Sequence, residues 1–184
     1  MSPAYSVQVI EIRPGSAADA PAIAQVRRES WHAAYSAIIA PSILDRATAT
    51  GGSAASPPSY RRTLVAVAGE QPAVVGYASF GPERIVASAK PGPLTPAGRS
   101  GEVGELYALY LLPAWWSAGV GRALMVSVLD ALRGDRYRRV VLWVLADNAR
   151  ARRFYERAGF TLDSATNVLT GLGGVLEVRY IRDV

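Results

Sequence analysis

The residues best placed to do chemistry are two glycines, Gly119 and Gly121, in the turn Trp116-Ser117-Ala118-Gly119-Val120-Gly121. The turn follows residues 105–112 (ELYALYLL), which are apolar and aromatic over a strand's length and end at Pro113. It opens onto residues 122–133 (RALMVSVLDALR), which have helical spacing. Glycines at a strand-to-helix handover let the backbone come close to a ligand, and the first N–H groups of a helix have no helical partner. Such a turn suits a phosphate. The same glycines would also serve a tight turn that holds nothing.

The elements around this turn can be read in order. Residues 7–12 (VQVIEI) alternate weakly and predict a first strand, ended by Arg13-Pro14-Gly15. Ser16 or Asp19 caps a helix that tolerates Pro21 in its first turns and keeps Ile23, Val26, Trp31, Ala34 and Tyr35 at helical spacing. A short second helix follows Pro41, and residues 48–59 (TATGGSAASPPS) predict a loop. Residues 63–68 and 73–80 are β-formers around Gly69-Glu70-Gln71-Pro72 and predict a hairpin. Residues 81–101 form a second Pro/Gly-dense loop, expected to be mobile or at the rim of a site.

Beyond the glycine turn, Val120, Leu124, Val128, Ala131 and Leu132 make one helical stripe, stopped at Gly134. Residues 138–145 (RRVVLWVL) predict a strand covered on both faces, parallel to the strand before the helix through a right-handed crossover. Asp147 or Asn148 caps a further helix carrying Ala151, Phe154, Tyr155 and Ala158, with Gly159 as its stop. Residues 160–162 and 175–181 are two closing strands joined through Gly171-Leu172-Gly173-Gly174. The expected fold is a single α/β domain over residues 1–184. Its sheet is mixed and mostly antiparallel, with a central parallel βαβ crossover and helices on both faces.

Composition narrows the function classes. The chain has 184 residues, half of them apolar, enough for one core. The absence of cysteine excludes disulfides, thiolate metal sites and a cysteine nucleophile, and it fits a reducing cytoplasm. No basic-then-apolar leader and no bilayer-length apolar run is present, so a cytoplasmic protein without a membrane partner is expected. The net charge of +5 comes from scattered arginine pairs. These fit a solvated surface or a basic rim around an anionic cofactor better than a specific nucleic-acid face.

A second block, Asn148-x-x-Ala151-x-x-Phe154-Tyr155-x-x-x-Gly159-Phe160, stands one strand beyond the glycine turn. Together with Leu111-x-Pro113 and Gly119-x-Gly121-Arg122-Ala123-Leu124, it resembles the GNAT superfamily of acetyl-CoA-dependent N-acetyltransferases. Arg28-Glu29-Ser30-Trp31 through Tyr35, and Ala78-Ser79-Phe80-Gly81-Pro82, are also similar to bacterial members. One departure stands out. The family usually places Gln or Arg three residues before the first glycine, often followed by Gly and a basic residue, whereas Trp116-Ser117-Ala118 stand here.

The resemblance implies an acetyl transfer from acetyl-CoA to a primary amine on a small molecule or peptide, with no metal. It places the coenzyme A pyrophosphate on the N–H groups of Gly119, Val120, Gly121 and Arg122, and gives Arg122 the role of the missing cation. Pantetheine would pair with the backbone of Leu111 and Leu112, Asn148 would bond the pantetheine or thiol region, and Arg152 or Arg153 would meet the adenosine phosphates. Glu105 is the expected proton acceptor, ahead of Glu102, the competing reading being a strand-end residue facing solvent. Tyr155 is the expected proton donor to the leaving thiolate, the competing reading being a core aromatic. Trp31 and Tyr35 would line the acceptor pocket, and His32 is given no role. Without cysteine, direct attack in a ternary complex is implied. A non-catalytic acyl-CoA-binding module of the same fold is the alternative, and a homodimer is compatible with the family.

Overall fold

The computed structural model describes residues 9–49, 60–69, 71–84 and 102–184. It builds one seven-stranded sheet from β1 (Glu11–Pro14), β2 (Arg62–Ala68), β3 (Ala73–Pro82), β4 (Val103–Leu111), β5 (Arg139–Leu145), β6 (Thr161–Leu169) and β7 (Val175–Asp183). Their spatial order is β1-β2-β3-β4-β5-β7-β6. Every neighbouring pair is antiparallel except β4 and β5, which run parallel around the helix between them. The helices are α1 (Ala20–Tyr35), α2 (Pro41–Ala49), α3 (Val120–Gly134) and α4 (Ala149–Arg157).

The period-2 alternation of the strands sorts the side chains onto two faces. On one face, α3 and α4 bury Leu124, Val128, Leu132, Tyr155 and Phe160 against Ala78, Phe80, Leu106, Leu142, Val144 and Tyr180. On the other, α1 packs Val26 against Val65, Val67 and Tyr77, with Tyr110 at the margin. A third group joins Leu145, at the end of β5, to Ile39 and Leu44 and to the partly buried Trp31 and Tyr35.

Several boundaries differ from expectation. The first strand spans Glu11–Pro14, because what defines it is pairing with β2, from Glu11 opposite Val67 to Pro14 opposite Leu64. Pro14 is tolerated there because β1 is an edge strand, and the following Gly15 N–H still bonds the Thr63 carbonyl at 2.9 Å. Thr48 and Ala49 belong to α2, where the Thr48 hydroxyl bonds back to the Leu44 carbonyl at 2.8 Å. Gly81 and Pro82 extend β3. The remainder of the two predicted loops lies mostly outside the described residues.

The largest correction is to β6, which runs to Leu169 instead of stopping at Leu162. Asp163, Ser164 and Asn167 break the apolar pattern because the strand carries a register shift between Leu162 and Thr166. Ser164 adopts φ +67° at this bulge. Asp163, fully buried, holds it by accepting the Ala165 N–H at 2.9 Å and the Arg179 Nε from β7 at 2.7 Å. Arg179 also reaches Glu83 at 2.9 Å. Removing one partner of a buried ion pair strands the other charge, so Asp163→Ala should lose about 3–5 kcal/mol of stability. Urea denaturation of the variant, with the midpoint and slope compared to wild type, checks this.

Candidate functional site

The glycine turn forms as expected, and its two glycines are required for different reasons. Gly119 precedes α3 in the left-handed region, at φ +84°, and a Cβ on it would meet nothing. Its requirement is therefore backbone conformation. A Cβ on Gly121 would sit 3.3 Å from Leu111 Cδ1 and 3.4 Å from Phe154 Cε2, so here the need is close approach of α3 to β4 and α4. Ala123 N makes the bond back to Gly119 O, at 3.0 Å. The N–H groups of Gly119, Val120, Gly121 and Arg122 are the unpaired ones of the helix start. Val120 and Gly121 are buried, while Gly119 and Arg122 are exposed.

The sheet opens beside this turn. β4 and β5 are paired only from Val103 opposite Arg139 to Leu106 opposite Leu142. β5 stays bonded to β7 as far as Leu145, while β4 stays bonded to β3 as far as Leu111. The two central strands thus part beyond Leu106, as an extended ligand arm would require. The backbone of Leu111 and Leu112 is more occupied than expected. The Leu111 carbonyl accepts the Ser30 hydroxyl at 2.5 Å and the Trp116 Nε1 at 3.1 Å. The Leu112 N–H bonds Val75 at 2.8 Å, and its carbonyl accepts from Trp115 at 2.9 Å. The stretch of β4 without β5 pairing starts earlier, at Tyr107.

A cation stands beside the turn, carried by α4. Arg150 places its guanidinium 3.9 Å from the centroid of the Trp116 ring. Trp116 is itself fixed by the Leu111 carbonyl, so the exposed Arg150 guanidinium rests on an anchored ring at the edge of the turn. Sequence reasoning missed Arg150 because the two partners are far apart in the chain and only the fold joins them. Arg152, by contrast, is engaged inward: Nε bonds the Tyr180 hydroxyl at 3.0 Å and Nη1 the Ala146 carbonyl at 3.0 Å. Asn148 is the cap of α4, its Oδ1 accepting the Ala151 N–H at 3.1 Å.

Tyr155 lies on α4, buried, edge-on to Phe154 and Phe160 at centroid distances of 5.4 and 6.1 Å. Burial pushes its phenol up, with a smaller contribution from Tyr110. Across the sheet, Trp31 stands edge-on to Tyr35 at 5.4 Å and tilted against Tyr110 at 6.3 Å. Burial likewise raises the phenols of Tyr35 and Tyr110. Trp31 Nε1 is buried with no hydrogen bond of normal geometry, the Tyr110 hydroxyl being its electrostatic neighbour. His32 ties α1 to α2 through Thr48 Oγ1 at 3.3 Å.

Glu105 does not face solvent: it is fully buried on β4, opposite Gly81 of β3 and Val141 of β5. It accepts the Arg84 backbone N–H at 2.7 Å and the Arg84 guanidinium through both Nε, at 3.1 Å, and Nη2. Arg84 in turn lies 4.6 Å from the Tyr107 ring centroid. Glu102 is exposed at the start of β4. Among the described residues, no group of histidines and carboxylates could hold a metal ion, and no helix is long and apolar enough to cross a membrane.

With this geometry in place, comparison with known proteins is decisive at the family level. A family model described as the acetyltransferase (GNAT) family matches residues 22–160. The chain belongs to the GNAT acetyltransferase family. Mycothiol acetyltransferase of Beutenbergia cavernae is 48% identical over 58 residues, 32% of this chain and 20% of that protein. The chain thus spans about a fifth of the mycothiol acetyltransferases it matches. The uncharacterized N-acetyltransferase YuaI of Bacillus subtilis is 27% identical over 76% of this chain and 74% of its own length. Among solved structures, PaiA N-acetyltransferase from Thermoplasma acidophilum, in complex with coenzyme A, shares the fold. It aligns with TM-score 0.66 and 19% identity over 93% of this chain and 98% of that one. The yncA protein of Salmonella typhimurium, solved with its cofactor acetyl-CoA, aligns with TM-score 0.61 and 23% identity over 95% and 94%.

The Arg84–Glu105 pair gives the GNAT site its first test. Arg84→Ala leaves a fully buried carboxylate without its cation and should destabilise the protein by about 3 kcal/mol, at the low end because Arg84 is itself half exposed. Arg84→Ala combined with Glu105→Leu should recover most of that loss, measured by chemical denaturation as a double-mutant cycle.

Proposed function

We propose that this protein is an N-acetyltransferase that moves the acetyl group of acetyl-CoA to a primary amine in a ternary complex. The observation that carries the proposal is the parting of β4 and β5 beyond Leu106, with the helix-start turn of α3 and Tyr155 on one face of the sheet and the aromatic group of Trp31, Tyr35 and Tyr110 on the other. Support also comes from the names of YuaI and of the mycothiol acetyltransferases, and from the coenzyme A bound to PaiA.

In this reading the pyrophosphate rests on the N–H groups of Gly119 to Arg122, where the dipole of α3 adds a favourable field. Arg150, held on Trp116, and the exposed Arg122 provide the positive charge. Arg152 supports α4 instead of reaching the nucleotide. The amine attacks the thioester carbonyl: a C–N bond forms, the C–S bond breaks, and the departing thiolate takes up the proton lost by the amide nitrogen. Because a thiol of this kind has a pKa near about 8.5, the thiolate needs little assistance. Tyr155, kept protonated by burial, serves it as a hydrogen-bond donor more than as a full proton source. The buried Trp31 N–H, beside the Tyr110 hydroxyl, offers a donor to an oxygen on the acceptor.

Thiol release from acetyl-CoA is to be followed against spermidine, glucosamine, free amino acids and short peptides. Turnover with at least one of them is expected, and Tyr155→Phe should lower kcat on the order of 10²-fold with little change in coenzyme A affinity. Calorimetric binding of coenzyme A without turnover on any amine would support the non-catalytic module instead.

A second outcome concerns the cation. Arg150→Ala should weaken coenzyme A binding on the order of tenfold, the equivalent of one charge-assisted contact, and flatten the salt dependence of the dissociation constant. Unchanged affinity and salt dependence would remove Arg150 from the phosphate site.

A further inference from the structure

We propose that Glu177 takes the proton from the acceptor's ammonium group, in place of Glu105. This deepens the reading of the protein as an N-acetyltransferase and rests on it.

The placement follows from register. Glu105 lies opposite Val141, and Val141, Trp143 and Leu145 share one face of β5. Opposite them on β7 stand Ile181, Arg179 and Glu177, so Glu177 shares its face with Glu105 and belongs to the row that ends at Leu145. Leu145 packs with Trp31 and Tyr35. Its level lies beyond Leu142, the last β5 residue paired to β4. Glu177 is therefore beside the opening between the central strands and beside the aromatic acceptor group.

The carboxylates on and near this face differ in what already occupies them. Glu105 is bonded by the backbone and guanidinium of Arg84. Asp163 is held by Arg179 and the Ala165 N–H, and Glu83 also pairs with Arg179. Glu177 accepts only from a neutral group among the described residues, Asn167 Nδ2 at 3.3 Å. The groups facing it are Tyr35 from α1, Tyr110 and Glu105 from β4, Arg84 after β3 and Asn167 from β6. Burial raises its affinity for a proton and Glu105 adds to this, while Asn167 and Arg84 oppose it. A carboxylate with open lone pairs and a raised proton affinity is better matched to removing a proton near neutral pH than one locked in an ion pair.

The step balances. A lysine-like ammonium, with a pKa of about 10.4, gives one proton to the Glu177 carboxylate, and the freed lone pair attacks the thioester carbonyl. The C–S bond breaks, the amide nitrogen's second proton goes to the thiolate, and Glu177 returns its proton to solvent. The net products are the acetamide, the free thiol and one proton.

The test measures kcat/KM against pH for wild type, Glu177→Gln and Glu105→Gln, using the panel amine with the highest wild-type turnover and measuring acetyl-CoA affinity in parallel. Glu177→Gln should lose about a hundredfold at pH 7 with acetyl-CoA affinity within twofold of wild type. Its kcat/KM should climb about tenfold per pH unit across the neutral range as the free amine accumulates, where the wild type has levelled off above its acidic limb, while Glu105→Gln keeps the wild-type profile. Retention of the wild-type limb and rate by Glu177→Gln, or loss of the limb in Glu105→Gln alone, overturns the assignment and leaves the acetyltransferase reading intact. A parallel loss of acetyl-CoA affinity in Glu177→Gln overturns it in favour of a structural role. Wild-type acetyl-CoA binding with no turnover on any panel amine overturns both.

Discussion

The parallel bond between β4 and β5 lasts from Val103 to Leu106 on one strand and from Arg139 to Leu142 on the other, and the rest of the site depends on its ending there. Each strand is pulled from its other side. β3 shifts register against β4 between Ser79 and Phe80, and the far end of β4 is tethered to α1 through the Ser30 hydroxyl on the Leu111 carbonyl. β5 remains in an unbroken antiparallel ladder with β7 to Leu145. β4 itself carries an extra residue, Tyr107, between Leu106 opposite Phe80 and Ala108 opposite Ser79, so the gap opens at a bulge in β4, beyond which each strand keeps only its other partner. At this gap a group on the α3–α4 face can meet a group on the α1–α2 face. This explains how Tyr155, buried on α4, is felt electrostatically by Tyr35 and Tyr110.

The buried charges on the α1–α2 side of the sheet hold the opening in shape more than they stabilise the fold. Desolvating an ion pair costs roughly what its attraction returns, so the Asp163–Arg179 and Glu105–Arg84 pairs are weak arguments for stability. Their geometry does more. Asp163 fixes the β6 bulge, Arg179 links that bulge to Glu83 at the end of β3, and Glu105 fixes Arg84 two residues beyond β3. A chain of charge-assisted contacts thus ties the far edge of the sheet to the strand before the opening. Glu177, on the same side, has a neutral donor, Asn167, as its hydrogen-bond partner among the described residues.

The sequence made the centre of the molecule readable because its periodicities are clean there. The stripe from Val120 to Leu132, the apolar run of β5 and the block from Asn148 to Phe160 all became the elements they suggest. β6 was not readable past Leu162, because a bulge inserts Asp163 and Ser164 where alternation would demand otherwise, and the compensating partner is Arg179 on another strand. The site divides the same way. The glycine turn and Tyr155 are local signals, whereas the pairing of Arg84 with Glu105 and of Arg150 with Trp116 exists only after the sheet has brought distant segments together. Asn148 and Arg152 were legible as residues of α4, but their side chains turn out to serve the helix cap and the contact with Tyr180.

Trp116 shows why a departure from a motif is better judged in three dimensions than at its own position. A basic side chain in the turn would be a flexible charge, losing rotamer freedom whenever it met an anion. The Trp116 indole instead bonds the end of β4 and presents its ring to a guanidinium arriving from the first turn of α4. Stacking of this kind contributes about 0.5–1 kcal/mol at an exposed site, and it spends part of the ordering cost before any ligand arrives. The arrangement couples the two halves of the signature: Gly121 lets α3 approach Phe154 of α4, and that approach is what brings Arg150 over Trp116. A residue larger than glycine at 121 would therefore disturb the position of a charge 29 residues away (150 − 121) without touching it.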